Sequence, residues 1–307
     1  MNSPIIHFPK GTLWQAILER TQSALACGAL QCIRTDFTYV EQNGVNFLVR
    51  VAASLQRKND EKQKRIEQKK STGQEVNPFL PPDSELFVAK LTDSHSAVLN
   101  KFNVIDHHLL IITNHFEDQD TLLTPADFKA LWNCMEEFEG LGFYNGGVVA
   151  GASQRHKHLQ MVPLPMGNDG RLLPIDPLME QVGNRSGQGK IPGFPFTHTL
   201  WPLTDIQGNT IEQNASMLHE RYLKMLSAVG LEAIEKNGTK WQSAPYNLLV
   251  TRRWMLMVPR SREFCESISI NSLGYAGSLF VKNPAELETV RQIGPMNVLR
   301  QVSVEAL

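Results

Sequence analysis

Apolar residues at Leu13, Ile17, Ala24 and Leu25 recur at near-helical spacing and predict a helix within Gly11 to Leu30. From Asp36 to Val51 the pattern becomes alternation, in two runs divided by Asn43-Gly44, which supplies the two positive-φ positions of a type I′ turn. A hairpin is predicted there. Leu86 to Leu91 and His108 to Thr113 read as strands. Thr124, Pro125 and Asp127 give an N-cap, a first-turn proline and an acidic third position for a helix running to about Gly140. Phe143 to Ala150, broken by Gly146 and Gly147, and Arg155 to Val162 are further strands. A second long helix is predicted from Ile211 to Lys236 through Met217, Tyr222, Met225, Val229 and Ala233. Tyr246 to Val250 and Trp254 to Val258 flank Thr251, Arg252 and Arg253 as a second hairpin. Strands and helices in this order lack regular βαβ units, so the predicted class is α+β.

Two stretches break the pattern. Gln56 to Lys70 carries seven Lys or Arg against three Asp or Glu and almost no apolar residue, a loop or solvated helix. Pro163 to Pro202 is rich in proline and glycine and too long to be idle. The chain therefore divides into an N-terminal half (1–170), a connecting segment (171–205) and a C-terminal half (206–307) that completes the same sheet.

Composition narrows the picture. With 42% hydrophobic and 20% charged residues over 307 positions, the chain can bury a sizeable core. A net charge of −1 provides no global attraction to nucleic acid or an acidic membrane, so an anionic ligand must be held locally. No stretch reaches the roughly 18 apolar residues of a membrane span, and the first residues show no basic segment followed by an apolar run. A cytoplasmic location is expected. Cys27, Cys32, Cys134 and Cys265 form no Cys-x-x-Cys pair; they read as buried free thiols, not as a disulfide framework or zinc site.

The candidate chemistry lies in Gly151-Ala152-Ser153-Gln154-Arg155-His156-Lys157-His158-Leu159-Gln160. On a strand, His156, His158 and Gln160 share one face while Lys157, Leu159 and Met161 point the other way. A polar stripe on an edge strand, or histidines hydrogen-bonded at a core margin, would give the same pattern. Zinc would want three or four His, Cys or carboxylate ligands, and Gln is a poor one. A histidine nucleophile needs a partner that fixes its tautomer and donors that tolerate a phosphate; His156 can supply the first, Gln160 and Ser153 the second. Gly146, Gly147 and Gly151 permit close approach of backbone N–H groups to phosphate oxygens, although a bulge or turn also accounts for them. His107, His108 and His115, beside an apolar strand, are read as structural.

His156-Lys157-His158-Leu159-Gln160, led by Gly-Ala-Ser-Gln, resembles the His-x-His-x-Gln motif of the diadenosine tetraphosphate phosphorylases, also called ATP adenylyltransferases, in the histidine-triad superfamily. Further ordered matches are Ser54-Leu55 with Lys58, Leu99 to Asn103, Tyr144-Asn145, Tyr246 to Pro259, and Ile270 to Gly277 with Lys282. The third-position Gln is similar to that of the transferases, whereas histidine-triad hydrolases usually carry His there. The resemblance implies a histidine-triad-like antiparallel sheet with packed helices, as in galactose-1-phosphate uridylyltransferase. It implies that His158 is the nucleophile, oriented by His156, and that Gln160 and Ser153 contact phosphates. Asn145, Gly151, Ala152, Ser153 and Gln154 would line the nucleotide site. Lys58, Asn100, Lys101, Asn271, Ser272, Leu273, Ser278 and Lys282 would contact the polyphosphate and second nucleoside; relatives often have Met where Ser278 stands.

The implied reaction is phosphorolysis of diadenosine tetraphosphate to ATP and ADP, and its reverse, through a nucleotidyl-His158 intermediate. A divalent ion, magnesium or manganese, would arrive with the polyphosphate, and no protein metal site is implied. The expected partners are diadenosine polyphosphates, ATP, ADP and phosphate, with neither nucleic acid nor membrane. The alternatives are a dinucleoside polyphosphate hydrolase, a hexose-1-phosphate nucleotidylyltransferase, whose usual zinc-binding cysteines are missing here, and a non-catalytic nucleotide sensor.

Overall fold

The computed structural model describes residues 8–52, 77–183, 187–206 and 208–306. The basic run and Ser54, Leu55 and Lys58 lie outside the described residues. In chain order the strands are β1 (Asp36–Gln42), β2 (Val45–Val51), β3 (Phe87–Lys90), β4 (His95–Leu99), β5 (Leu109–Thr113), β6 (Gly140–Gly146), β7 (His158–Pro163), β8 (Thr199–Pro202), β9 (Ala233–Lys236), β10 (Thr239–Gln242), β11 (Tyr246–Val250), β12 (Trp254–Pro259), β13 (Phe264–Cys265), β14 (Ile268–Ser269) and β15 (Ser278–Val281). The helices are α1 (Leu13–Ala26), α2 (Pro125–Glu137), α3 (Asp176–Val182), α4 (Ile211–Ala228), α5 (Ser272–Tyr275), α6 (Pro284–Ile293) and α7 (Pro295–Val302).

An eight-stranded antiparallel sheet in the order β3-β4-β5-β7-β6-β11-β12-β8 forms the centre, so the class is α+β as predicted. Its strands are apolar on both faces because both are covered. Leu109, Ile111, Leu159, Met161, Leu248 and Met257 pack on one side beneath α1, α2 and α4. Phe143, Val162, Leu249, Leu256 and Val258 pack on the other, against β2, α3 and α5 to α7. There β15 runs parallel to β2, beside the β1-β2 hairpin. Asn43 and Gly44 take φ of 54° and 78°, as the predicted turn requires.

Helix α2 begins on the predicted capping box, Thr124 with Asp127. The second long helix ends earlier than its apolar spacing suggests. It stops at Ala228, and Ala233 is exposed in β9, which pairs with β10 across another Asn-Gly turn, Asn237-Gly238. β4 was not predicted. The segment 171–205 supplies α3 and β8, the latter an edge strand of the central sheet on β12. Among the cysteines, Cys134 and Cys265 are buried as expected, but Cys27 and Cys32 are exposed. Cys27 is the C-cap of α1 and Cys32 lies in the surface segment that follows, beyond the helix face held in the core.

Candidate active site

His158 is buried at the start of β7. Its Nδ1–H donates to the His156 carbonyl at 2.8 Å, which leaves the lone pair on Nε2. Among the described residues Nε2 has no hydrogen-bond partner. Burial pushes the imidazole pKa down to about 4, against the opposing pull of the His156 carbonyl, so at neutral pH the ring is an uncharged base. Phe79 packs over it with centroids 5.4 Å apart.

The backbone of His158 is clamped by a side chain the sequence reading missed. Strands β6 and β7 are paired as far as Phe143 and Gln160. Just past that point the His158 N–H donates to Gln119 Oε1 at 2.9 Å. The Gln119 amide donates in turn to the carbonyls of Asn145 (2.9 Å) and His158 (3.3 Å). One carboxamide thus takes the place of a ladder rung and fixes the strand that presents the imidazole.

His156 lies just before β7 in a single bridge with Asp118, not in the ladder itself. Its Nε2–H donates to the Thr113 carbonyl (2.9 Å), with Thr113 Oγ1 also within 2.8 Å, and its Nδ1 accepts from Asn77 (2.8 Å). Burial lowers its pKa, partly offset by the Thr113 bond. The expectation that the His156 ring sets the tautomer of His158 is therefore corrected: the main-chain carbonyl does so, while the ring anchors the approach to β7.

Lys157 points to the opposite face, as alternation requires, and is only 1% exposed. Its ammonium donates to Glu117 (2.8 Å) and the Leu122 carbonyl (3.1 Å) and lies 3.6 Å from Asp127 Oδ2. Asp127 also meets His95 Nε2 at 3.0 Å. Burial would raise the Asp127 pKa, but the His95 bond and the Lys157 charge outweigh it and hold the carboxyl at about 2. A one-residue slip of β7 would expel Lys157 from this cluster, so its pairing locks the register of His158.

Gln160 sits on the His158 face, and its Oε1 accepts from His108 Nε2 at 2.9 Å. His108 Nδ1 meets Asn100 Nδ2 at 3.1 Å. His108, read as structural, thus joins two predicted site residues. Lys101 follows Asn100, with its ammonium 5.3 Å from the Phe102 ring centroid.

A second group surrounds Asn145. Its Oδ1 accepts from the Ser272 N–H (3.0 Å), the Ser272 hydroxyl (2.7 Å) and Asn247 Nδ2 (2.9 Å). Asn247 also donates to the Ala150 carbonyl at 2.9 Å, and Arg260 Nη1 donates to Asn247 Oδ1 at 2.7 Å. Asn271 caps α5 through the Leu273 N–H at 3.0 Å. Gly151, at φ 93°, passes so near this cap that a Cβ would lie 2.8 Å from Asn271 Cβ, which explains the glycine. The structure therefore brings Asn145, Gly151, Asn271, Ser272 and Leu273 together, with Ser272 and Leu273 buried. Ala152 is buried, whereas Ser153 is exposed and Gln154 half-buried on the turn before His156. Ser278 is buried at the start of β15, and among the described residues its hydroxyl has no hydrogen-bond partner. The Lys282 ammonium donates to the Ser267 carbonyl (3.3 Å) and lies 3.8 Å from Glu286.

Asn247 and Arg260 were not foreseen, although Asn247 had a signal. An amide inside the apolar run Tyr246 to Val250 must find buried partners. Among the described residues no group of three or more His, Cys, Asp or Glu is placed to hold a metal.

Comparison with known proteins identifies the family and the fold. Residues 3–181 match the family model for the Ap4A phosphorylase N-terminal domain and residues 192–305 that for the ATP adenylyltransferase C-terminal domain. Diadenosine 5',5'''-P1,P4-tetraphosphate phosphorylase 2 of Saccharomyces cerevisiae is 28% identical over 251 residues, 73% of this chain and 74% of the relative. The crystal structure of yeast Ap4A phosphorylase Apa2 superposes with a TM-score of 0.77 at 23% identity, covering 97% of this chain and 99% of that one. The same yeast enzyme in complex with Ap4A gives 0.73 at 25% identity, with coverage of 97% and 99%. With its N-terminal match spanning more than half of its length and an ATP adenylyltransferase domain following it, the chain belongs to the Ap4A phosphorylase family.

Proposed function

We propose that this protein catalyses phosphorolysis of diadenosine tetraphosphate to ATP and ADP, and the reverse transfer, through a covalent nucleotidyl-His158 intermediate. The observation that carries the reading is the neutral His158, its proton committed to a backbone carbonyl and its Nε2 without a hydrogen-bond partner among the described residues, beside the amide of Gln160. Nε2 attacks the α-phosphorus and forms a P–N bond as the P–O bond to the ATP leaving group breaks. Inorganic phosphate then attacks the same phosphorus and displaces the imidazole, giving ADP. Neither step asks for proton abstraction from His158, because Nδ1 keeps its proton throughout. In-line positioning and neutralisation of the phosphate chain supply most of the barrier lowering.

Gln160 is proposed to contact the phosphates, and Asn145 with the Gly151 to Gln154 turn to border the nucleotide. Lys58, Lys101 and Lys282 are proposed to reach the rest of the polyphosphate and the second nucleoside; Ser278, expected with them, is corrected to a buried residue of the β2-β15 ladder with no surface to offer a ligand. A magnesium or manganese ion bound to the phosphates would screen their charge. Cytoplasmic placement belongs to the same proposal, since exposed free thiols such as Cys27 and Cys32 suit a reducing compartment.

The test is incubation with diadenosine tetraphosphate and a divalent ion, with and without phosphate, followed by ion-exchange separation. ATP and ADP formed only with phosphate supports phosphorolysis. AMP and ATP formed without phosphate indicates hydrolysis, and tight binding without turnover indicates a sensor.

A further inference from the structure

We infer that His108 is a positioning residue for this transfer, holding the carboxamide of Gln160 so that its NH₂, and not its carbonyl, faces the substrate phosphate. The inference rests on the reading of Gln160 as a phosphate contact. A primary amide has two ends of nearly equal size and opposite polarity. Turned one way, Gln160 donates to a phosphate oxygen; turned the other, its carbonyl opposes that oxygen. Gln160 itself contains nothing that selects between them.

The selection comes from across the sheet. Leu110 of β5 is the direct partner of Gln160, so His108, two residues earlier, is its diagonal neighbour on the same face. His108 is 7% exposed, and its ring centroid lies 5.8 Å from that of Phe143. At the far end Asn100 Nδ2 donates to His108 Nδ1 at 3.1 Å. That leaves the proton on Nε2, which donates to Gln160 Oε1 at 2.9 Å. A main-chain bond from the Asn100 N–H to the His108 carbonyl, 2.9 Å, holds the first two members together. With Oε1 occupied, the Gln160 NH₂ is the end left for a ligand. A flipped Gln160 would set two N–H donors against each other. Asn100 thereby influences the phosphate through His108 without having to touch it.

The experiment is a double-mutant cycle between His108→Leu and Gln160→Ala, with His108→Gln and His108→Asn alongside. Each variant is read as kcat and KM for diadenosine tetraphosphate, as Kd for ATP by calorimetry, and as Tm. Glutamine can accept from Asn100 and donate to Gln160 with the same polarity, whereas asparagine stays polar but is too short to bond both. His108→Leu should lower kcat about 10- to 100-fold, the scale known for losing a partner that orients a metal-ligating side chain. ATP affinity should fall about tenfold, the scale of one hydrogen bond to a charged acceptor. His108→Gln should recover most of both, and in the Gln160→Ala background His108→Leu should change either by less than about twofold. Fully additive losses, or a folded His108→Gln no better than His108→Asn, would overturn the inference. If His108→Leu does not fold, the Gln and Asn variants, each with and without Gln160→Ala, carry the same comparison. A wild-type protein that binds ATP without turning over the dinucleotide would sink the functional reading alone. The Kd cycle would still decide this one, because amide orientation acts on a bound phosphate with or without turnover.

Discussion

Lowering the pH protonates Nε2 of His158 and so removes the proposed nucleophile. Burial holds this imidazole near a pKa of about 4, against 6.5 for the ordinary side chain. The difference corresponds to about 3 kcal/mol favouring the neutral ring. At pH 6 a ring with the ordinary value would be only about a quarter neutral, whereas His158 should be about 99% neutral. The assay is kcat/KM for diadenosine tetraphosphate from pH 4 to 8, which reports ionisations of the free enzyme and free substrate. Because attack by His158 precedes attack by phosphate, ionisation of inorganic phosphate does not enter this ratio. The profile should stay flat through pH 6 and fall only as pH approaches the folded pKa. An NMR titration of the His158 ring should give the same midpoint. An acid limb centred near 6.5 in a protein still folded by circular dichroism would refute the argument that burial, not solvent, sets this pKa.

The same shift has a stability consequence. His158 is depressed, so the unfolded chain binds the proton first, and stability falls as pH drops from 6.5 towards about 4; urea midpoints across that window should decline. Asp127, also depressed, adds stability above 3.8 that is lost as pH falls towards about 2. His158→Ala should abolish nearly all turnover, whereas His156→Ala keeps the backbone carbonyl that sets the tautomer and should cost far less in steady-state kcat; equal, small losses would sink the nucleophile assignment. Gln119→Leu leaves the His158 N–H and two carbonyls without their partner, so it should cost about 1–3 kcal/mol in urea unfolding and also lower kcat. Unchanged kcat in that variant would mean that the clamp is not needed to aim the imidazole. Arg260→Met strips donors from Asn247 and the carbonyls of Val302, Ile270 and Arg262 and should destabilise the fold by about 3 kcal/mol or more, read as a lower urea midpoint.

Local pattern alone determined a good part of this protein. The Asn43-Gly44 hairpin, the Thr124 to Asp127 helix start, the β11-β12 pair and the α+β class follow from periodicity and turn chemistry, which act within a few residues. The alternation at His156, His158 and Gln160 marked the candidate face, because a strand sends successive side chains to opposite sides. Alternation also sent Lys157 to the other side, but only the fold could supply Glu117 and Asp127 to receive it. The end of α4 was not legible, because Val229 and Ala233 continue a helical spacing that the chain abandons for the β9-β10 hairpin. Above all, the residues that hold the candidate site in place arrive from remote segments. Gln119 enters between two strands, His108 reaches Gln160 diagonally across a ladder, and Arg260 supports Asn247 beside Asn145. Each is an ordinary polar residue in sequence and becomes specific only when strand pairing buries it. A buried polar group must then be satisfied by whatever partner the sheet order places within about 3 Å.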